Sequence, residues 1–256
     1  MTNHLVIPDV QAEGRTPTDH LKACGNYIVE HRPDVIVQIG DFADMPSLCS
    51  YDRGVKGFDS RSYKEDVDAA VESMNTLLSP LHKLQARQRK SHKEIYKPKM
   101  ILTLGNHEYR IEKALATELS RLEGLIGVDN LKYKEFGWEV VPFLKYKIVD
   151  GVTYVHYVIN DFSGTPKASM KAAVEKIMGS VTCGHKQTLD IYVKPDPKTK
   201  RTVYGIQAGS YYMHDEGYKG AQGNIHWRGV IHKKDVYKGD FNPEFLNLDY
   251  MLKNYL

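Results

Sequence analysis

Five short stretches of this chain carry residue types that hold metal ions. They are PDVQ (Pro8 to Gln11), GDFAD (Gly40 to Asp44), GNHEYR (Gly105 to Arg110), His156 within YVHYVI, and GHKQ (Gly184 to Gln187). Carboxylate and amide oxygens are hard donors and imidazole nitrogens are borderline ones, so a site drawn from these stretches suits divalent cations. Any one stretch is weak on its own. Asp9 and Gln11 read equally as an altered metal site, a damaged one, or a strand-to-loop turn after Pro8.

The positioning elements come from the apolar runs before each stretch. HLVIP, DVIVQIG and KMILTLG read as strands alternating with helical patterns, the signature of βαβ units. In open α/β sheets ligands bind beyond the carboxyl ends of strands, so the three polar turns that follow should share one crevice. The second half reads as more antiparallel, with strands in GWEVVPFLKYKIVD, GVTYVHYVI, SVTCG, LDIYVK, RTVYGIQAG and WRGVIHK. Asp150-Gly151 signals one hairpin and the charged PDPKTK tip another. A first helix is expected with Thr16 as N-cap and Pro17 at its first position, ending before Pro33. A long helix from about Ser62 to His92 should be kinked or divided by Pro80.

The order Asp-x-Gln, Gly-Asp, Gly-Asn-His-Glu, a lone His and Gly-His-x-Gln, spanning residues 9 to 187, resembles the calcineurin-like metallophosphoesterase superfamily. The resemblance implies a four-layer α/β/β/α sandwich with mixed sheets. It implies two divalent metal ions, Mn²⁺ first among them with Mg²⁺, Fe or Zn²⁺ as alternatives. One ion would be held by Asp9, Gln11, Asp41 and Gln187, the other by Asp41, Asn106, His156 and His185. A metal-bridging hydroxide would attack phosphorus, with His107 assisting the leaving group. Arg110 reads evenly as a phosphate-holding guanidinium or as the start of a helix, and Glu108 as an orienting carboxylate. Asp44 reads as an N-cap or turn residue before Pro46.

Gln11 and Gln187 stand where histidine is usual in the family, and both fall on the same implied metal position. Together they describe an oxygen-only environment, which favours Mn²⁺, Mg²⁺ or Ca²⁺ over zinc and binds more weakly than imidazole. Tyr157 is a further departure, since glycine often follows the lone histidine.

The expected activity is phosphoester hydrolysis, as a phosphodiesterase or nuclease acting on nucleic acid (DNA or RNA) or nucleotides. The rivals are a phosphomonoesterase or protein phosphatase, and a non-catalytic scaffold. The IPDVQ version is similar to those carried by bacteriophages. A chain of 256 residues with 41% hydrophobic residues fits one domain, 1–256, with a real core. A net charge of +3 lacks a strong nucleic-acid signature, and three scattered cysteines exclude a disulfide framework. No 18-residue apolar run and no leader-like start occur, so the expected location is cytoplasmic, in the host if the chain is viral.

Two other features invite a substrate. Lys83, Arg87, Arg89, Lys90, Lys93, Lys97 and Lys99 oppose a lone Glu94, either as a solvated helix face or as a nucleic-acid contact. Tyr211, Tyr212, Tyr218, His226, Trp227 and Arg228 read either as lining a cleft or as an aromatic cap on the sheet edge. His4, His20, His31, His82, His92, His214, His226 and His232 lack ligand spacing and mostly read as surface or hydrogen-bonded structural residues, with His214 and His226 grouped with the aromatic stretch.

Overall fold

The computed structural model describes residues 1–14, 16–50, 60–117, 119–215 and 226–256. It is an α/β protein with two mixed sheets and, among the described residues, five α-helices. The first sheet has a parallel centre of β1 (Thr2–Ile7), β2 (Val35–Gln38), β3 (Lys99–Thr103) and β4 (Glu139–Val141). With β10 (Gly229–Tyr237) and β11 (Asp240–Asn247) it has six strands in the order β11-β10-β1-β2-β3-β4. In the second sheet β6 (Val152–Tyr154), β7 (Val181–Cys183) and β9 (Thr202–Ala208) are parallel. β5 (Lys147–Val149) and β8 (Leu189–Pro195) are its antiparallel edges, giving the order β5-β6-β7-β9-β8.

Side-chain alternation sets how the sheets pack. Leu5, Ile7, Ile36 and Leu102 face one way, into a core shared with Leu21, Cys24 and Ile28 of α1 (Asp19–His31) and with Met74, Leu77, Leu78 and Leu81 of α2 (Tyr63–Lys90). Val6, Val35, Val37 and Ile101 face the other way, onto Val149, Val152, Tyr154 and Ile206 of the second sheet. This is the period-2 pattern of strands buried on both faces. A third core joins Val181 and Cys183 to Met170, Ala173 and Val174 of a later helix, Met170–Ile177. All three cysteines are buried and free.

Several sequence expectations need correction. α1 begins at Asp19, and the Thr16 hydroxyl donates to the Glu13 carbonyl instead of capping the helix. α2 runs through Pro80 undivided. The proline ring is turned toward Gly25 of α1, where any Cβ would collide with it and with the Leu77 carbonyl. The run GWEVVPFLKYKIVD is not one strand: β4 joins the first sheet and β5 the second, with Pro142 at the crossing. The Asp150-Gly151 hairpin forms with positive φ at both residues, 50° and 85°, as such a turn requires. β10 is longer than expected and turns back into β11 and a last helix, Leu248–Tyr255, neither of which is legible in the sequence.

No described helix is long and apolar enough to cross a membrane. The basic run is exposed from Lys83 to Lys99, but Lys99 begins β3 whereas Asn106 follows its far end. The five extended residues of β3 span about 17 Å, so Lys99 lies at the opposite end of the sheet from the polar turns.

Candidate metal centre

The polar turns follow the carboxyl ends of β1, β2, β3, β6 and β7, five parallel strands drawn from both sheets. Asp41, His156 and His185 present ligand atoms that all lie within 4.8 Å of one another. Asn106 joins them, its Oδ1 being 2.9 Å from His156 Nε2 and 2.7 Å from His185 Nδ1. Asp41 Oδ2 is 3.2 Å from His156 Nε2. The opposite ring nitrogen of His156 donates to the Ile39 carbonyl at 2.9 Å, which fixes the ring with Nε2 toward the cluster. Gly40 permits this: its φ is 97°, and a Cβ there would run into the His156 ring.

The backbone at this end is unusual. Gln11, Asp41, His185 and Gln187 all have positive φ, 47°, 51°, 74° and 60°. Side-chain-bearing residues in this region typically cost about 1–3 kcal/mol each and persist only where their surroundings hold them. The Val10 and Gln11 amides donate to the Asp41 carbonyl at 3.0 and 2.9 Å. The His185 amide donates to both Asp9 oxygens at 3.0 Å. Glu108, fully buried, gathers the loop by accepting from the amides of Asp41, Phe42, Ala43 and Gly105 and from the Tyr133 hydroxyl.

His107 lies beside this cluster. Its Nδ1 is 2.6 Å from Asp44 Oδ1 and its Nε2 is 3.7 Å from Asp41 Oδ2. An ionised Asp44 can only accept, so Nδ1 carries the proton and Nε2 faces Arg110 Nη2 at 3.1 Å. Arg110 also donates to the carbonyls of Asp44 and Met45 while standing in the first turn of α3 (Tyr109–Leu115), the helix-start position. Asp44 is a correction: its carboxylate partners His107, and Met45 takes the cap position before Pro46. Its partner is 63 residues away, which no local pattern discloses.

The electrostatics divide the buried acids. Burial opposes the charge on Asp41, yet His107 and His156 hold its carboxyl well below the usual carboxylate range. Burial pushes the Asp9 carboxyl up, and the Asp41 charge adds to this. Burial would lower His156, but Asp41 raises it to about 9, whereas burial and the His156 charge lower His185 to about 4. His107 is raised by Asp41 and Asp44 against the effect of burial.

The structure thus brings Asp41, Asn106, His156 and His185 into direct contact. Asp9 adjoins them through the His185 amide. The other two expected ligands are less gathered. Gln187 is buried and its Oε1 accepts from the Tyr212 hydroxyl at 3.0 Å. Gln11 is buried, and among the described residues its Oε1 has no hydrogen-bond partner. A buried orphan oxygen beside two acidic turns fits a cation, because an unmet acceptor in a dry site costs roughly 1–3 kcal/mol.

The described residues of the aromatic stretch after β9 pack on the sheet edge. Tyr211 and Tyr212 are fully buried, and Trp227 packs on Phe245 and the inter-sheet core. Arg228 lies over the Tyr212 ring and pairs with Asp215. Tyr218 falls outside the described residues. His4 and His232 are buried and hydrogen-bonded to tyrosine hydroxyls, whereas His20 is buried with neither ring nitrogen bonded among the described residues. No family model matches the chain, and no curated protein matches it either.

Proposed function

We propose that the protein is a metal-dependent phosphoesterase of the calcineurin-like type. The observation that carries this is the convergence of one carboxylate, one amide oxygen and two imidazoles, from turns of both sheets, on a single point. The succession of cores, helices against the first sheet, sheet against sheet, and the second sheet against the helix Met170–Ile177, supports the four-layer α/β/β/α arrangement. Asp41, Asn106, His156 and His185 would hold one divalent ion. Asp9, Gln11 and Gln187 would hold a second, with Asp41 shared, and Mn²⁺ suits both donor sets. Two such ions, when bound, would supply a water of lowered pKa and charge stabilisation for phosphoryl oxygens.

The remaining work belongs to the chain. Asp44 orients His107, and the raised affinity of His107 for a proton suits it to protonate a leaving oxygen near neutral pH. Arg110 faces the same His107 edge, so a substrate phosphate that draws the guanidinium onto its own oxygens frees Nε2 for that proton. Glu108 is fully engaged in holding the loop and takes no part in proton transfer.

Hydrolysis of bis(p-nitrophenyl) phosphate and p-nitrophenyl phosphate with Mn²⁺, with Asp41→Asn and His107→Ala beside wild type, tests the reading. Metal-dependent turnover that falls in both variants supports it, and the ratio between the two esters ranks diesterase against monoesterase. Absence of turnover on either ester leaves a binding scaffold.

A further inference from the structure

Five tyrosines of this protein are used up in its interior. Tyr27, Tyr133, Tyr154, Tyr211 and Tyr212 are each at most 2% exposed. Each spends its hydroxyl on a protein partner: His232, Glu108, His4, the His20 carbonyl and Gln187, respectively. This is how a structural tyrosine satisfies its polar end.

Three aromatics at the metal end behave differently. Tyr109 is 39% exposed, and Phe143 and Tyr157 are half-buried. Tyr109 stacks on Phe143 with centroids 4.7 Å apart and planes 24° apart, and Phe143 meets Tyr157 edge-on at 5.6 Å. Tyr157 lies 4.7 Å from the His185 ring. Among the described residues neither the Tyr109 nor the Tyr157 hydroxyl has a hydrogen-bond partner. The three rings come from the turns after β3, β4 and β6, the same end of the sheets that carries the metal ligands. Contacts run in series from Arg110 through His107, Asp41, His156 and His185 to Tyr157. A phosphate over Asp41 therefore has a guanidinium at one end of the series and an open aromatic surface at the other.

We propose that Tyr157, Phe143 and Tyr109 form a stacking shelf for the base attached to the reacting phosphate of a nucleotide or single-stranded nucleic acid. This rests on the phosphoesterase reading. Tyr157, where a glycine would leave no ring, is what joins the shelf to the metal ligands. A base in a duplex is already paired and stacked, so only an unpaired base can use the shelf. Stacking of one base on such a ring is worth a factor of about 5 to 150 in binding.

The test compares kcat/KM of the Mn²⁺-loaded wild-type protein on four substrates. These are a single-stranded oligonucleotide, the same strand built from stable abasic units, its duplex, and a nucleoside cyclic phosphate. The base-bearing strand is expected to exceed the abasic one by about 5- to 150-fold, mainly through KM, with the duplex no better than the abasic strand. The cyclic phosphate against the strand assigns the source of the base. Tyr157→Leu should bring the base-to-abasic ratio toward 1, and Tyr157→Trp should keep it. Independently of turnover, a 2-aminopurine in the single strand should be quenched on binding metal-free wild type and not on binding Tyr157→Leu. Equal kcat/KM on base-bearing and abasic strands, with metal-dependent turnover intact, overturns the shelf and leaves the phosphoesterase standing. No metal-dependent turnover of any ester removes the phosphoesterase, and the quenching then decides the shelf: absence of quenching in wild type overturns it.

Discussion

The two halves of the candidate metal centre are built to different standards. Around Asp41, four side chains from both sheets already touch, and the ring of His156 is pinned from behind by a backbone carbonyl. Around Asp9, the donors are oxygens alone; one of them is an orphan on Gln11 and another is shared with Tyr212 on Gln187. The two buried aspartates diverge accordingly, Asp41 being held ionised by imidazoles and Asp9 pushed toward its neutral form by burial. Preorganisation is thus concentrated where the imidazoles are, and on the proposed reading the oxygen-only half would need an arriving cation to complete it.

Removing the shared carboxylate should break both halves at once. Asp41→Asn keeps the shape and the backbone bonds of residue 41 but loses the charge that both ions would share. Loss of about 10³-fold or more in kcat/KM on bis(p-nitrophenyl) phosphate is expected, with neither ion retained in metal analysis. Retention of one tightly bound ion would mean that the halves do not share Asp41.

The next largest effect lies beside the ions. His107→Ala should cost about 10²–10⁴-fold in kcat with metal content unchanged. Asp44→Asn, which acts only through the orientation of His107, should cost about 10–100-fold. A loss of metal in either variant would assign His107 to the ligand set instead.

How much of this was legible in the sequence depended on whether the signal was local. β1, β2 and β3 end in apolar runs that stop at small or polar residues, so their ends and the polar turns that follow could be read directly. His156 was legible only by its order among the motifs, because the run around it hides the end of β6 at Tyr154. The split of one apolar run between two sheets at Pro142 was hidden, since composition does not tell which sheet a strand joins. β11 was hidden because Pro243 argues against a strand, yet at a sheet edge the missing amide hydrogen costs little. The Asp44–His107 and Tyr212–Gln187 pairs span 63 and 25 residues and exist only in the fold. The four left-handed residues are likewise set by tertiary bonds.

Comparing metal affinities requires a protein that stays folded, and its interior limits the acid side. Burial lowers His4 and His232 to about 4 and His20 to about 3, against an ordinary value of 6.5. The unfolded chain takes up these protons near pH 6.5 whereas the folded one resists them. Their contribution is complete above pH 6.5 and is lost as pH falls toward 4. Between those limits each such histidine withdraws up to about 1.4 kcal/mol per pH unit. Denaturant midpoints should be flat in this respect from pH 8 to 7 and fall below 6. A His232→Gln variant should fall less steeply, and an unchanged slope would remove that residue from the account.

Gln11→His sharpens the comparison from the weaker side. The left-handed backbone at residue 11 tolerates histidine better than most residues, and an imidazole there would give the oxygen-only half a nitrogen ligand. Wild type should bind one Mn²⁺ tightly and a second weakly. A gain of even about 1.4 kcal/mol would tighten the second Kd tenfold and raise its preference for zinc. Tight and equal zinc binding at both positions in wild type would remove the distinction between the halves.

The smallest effect isolates the outermost contact. The Tyr212 hydroxyl donates to Gln187 Oε1, and the Tyr212 ring stacks on the His214 ring and has the Arg228 guanidinium over it. A carbonyl oxygen has two lone pairs, so the bond to Tyr212 directs the other and keeps the amide from turning its NH₂ toward the cation. Tyr212→Phe removes that one bond and little else. With a neutral hydrogen bond worth about 1 kcal/mol, the weaker Mn²⁺ Kd in calorimetric titration should rise about fivefold and the tighter one should not move. Equal weakening of both would make Tyr212 a packing residue, and no change in either would take Gln187 out of the ligand set.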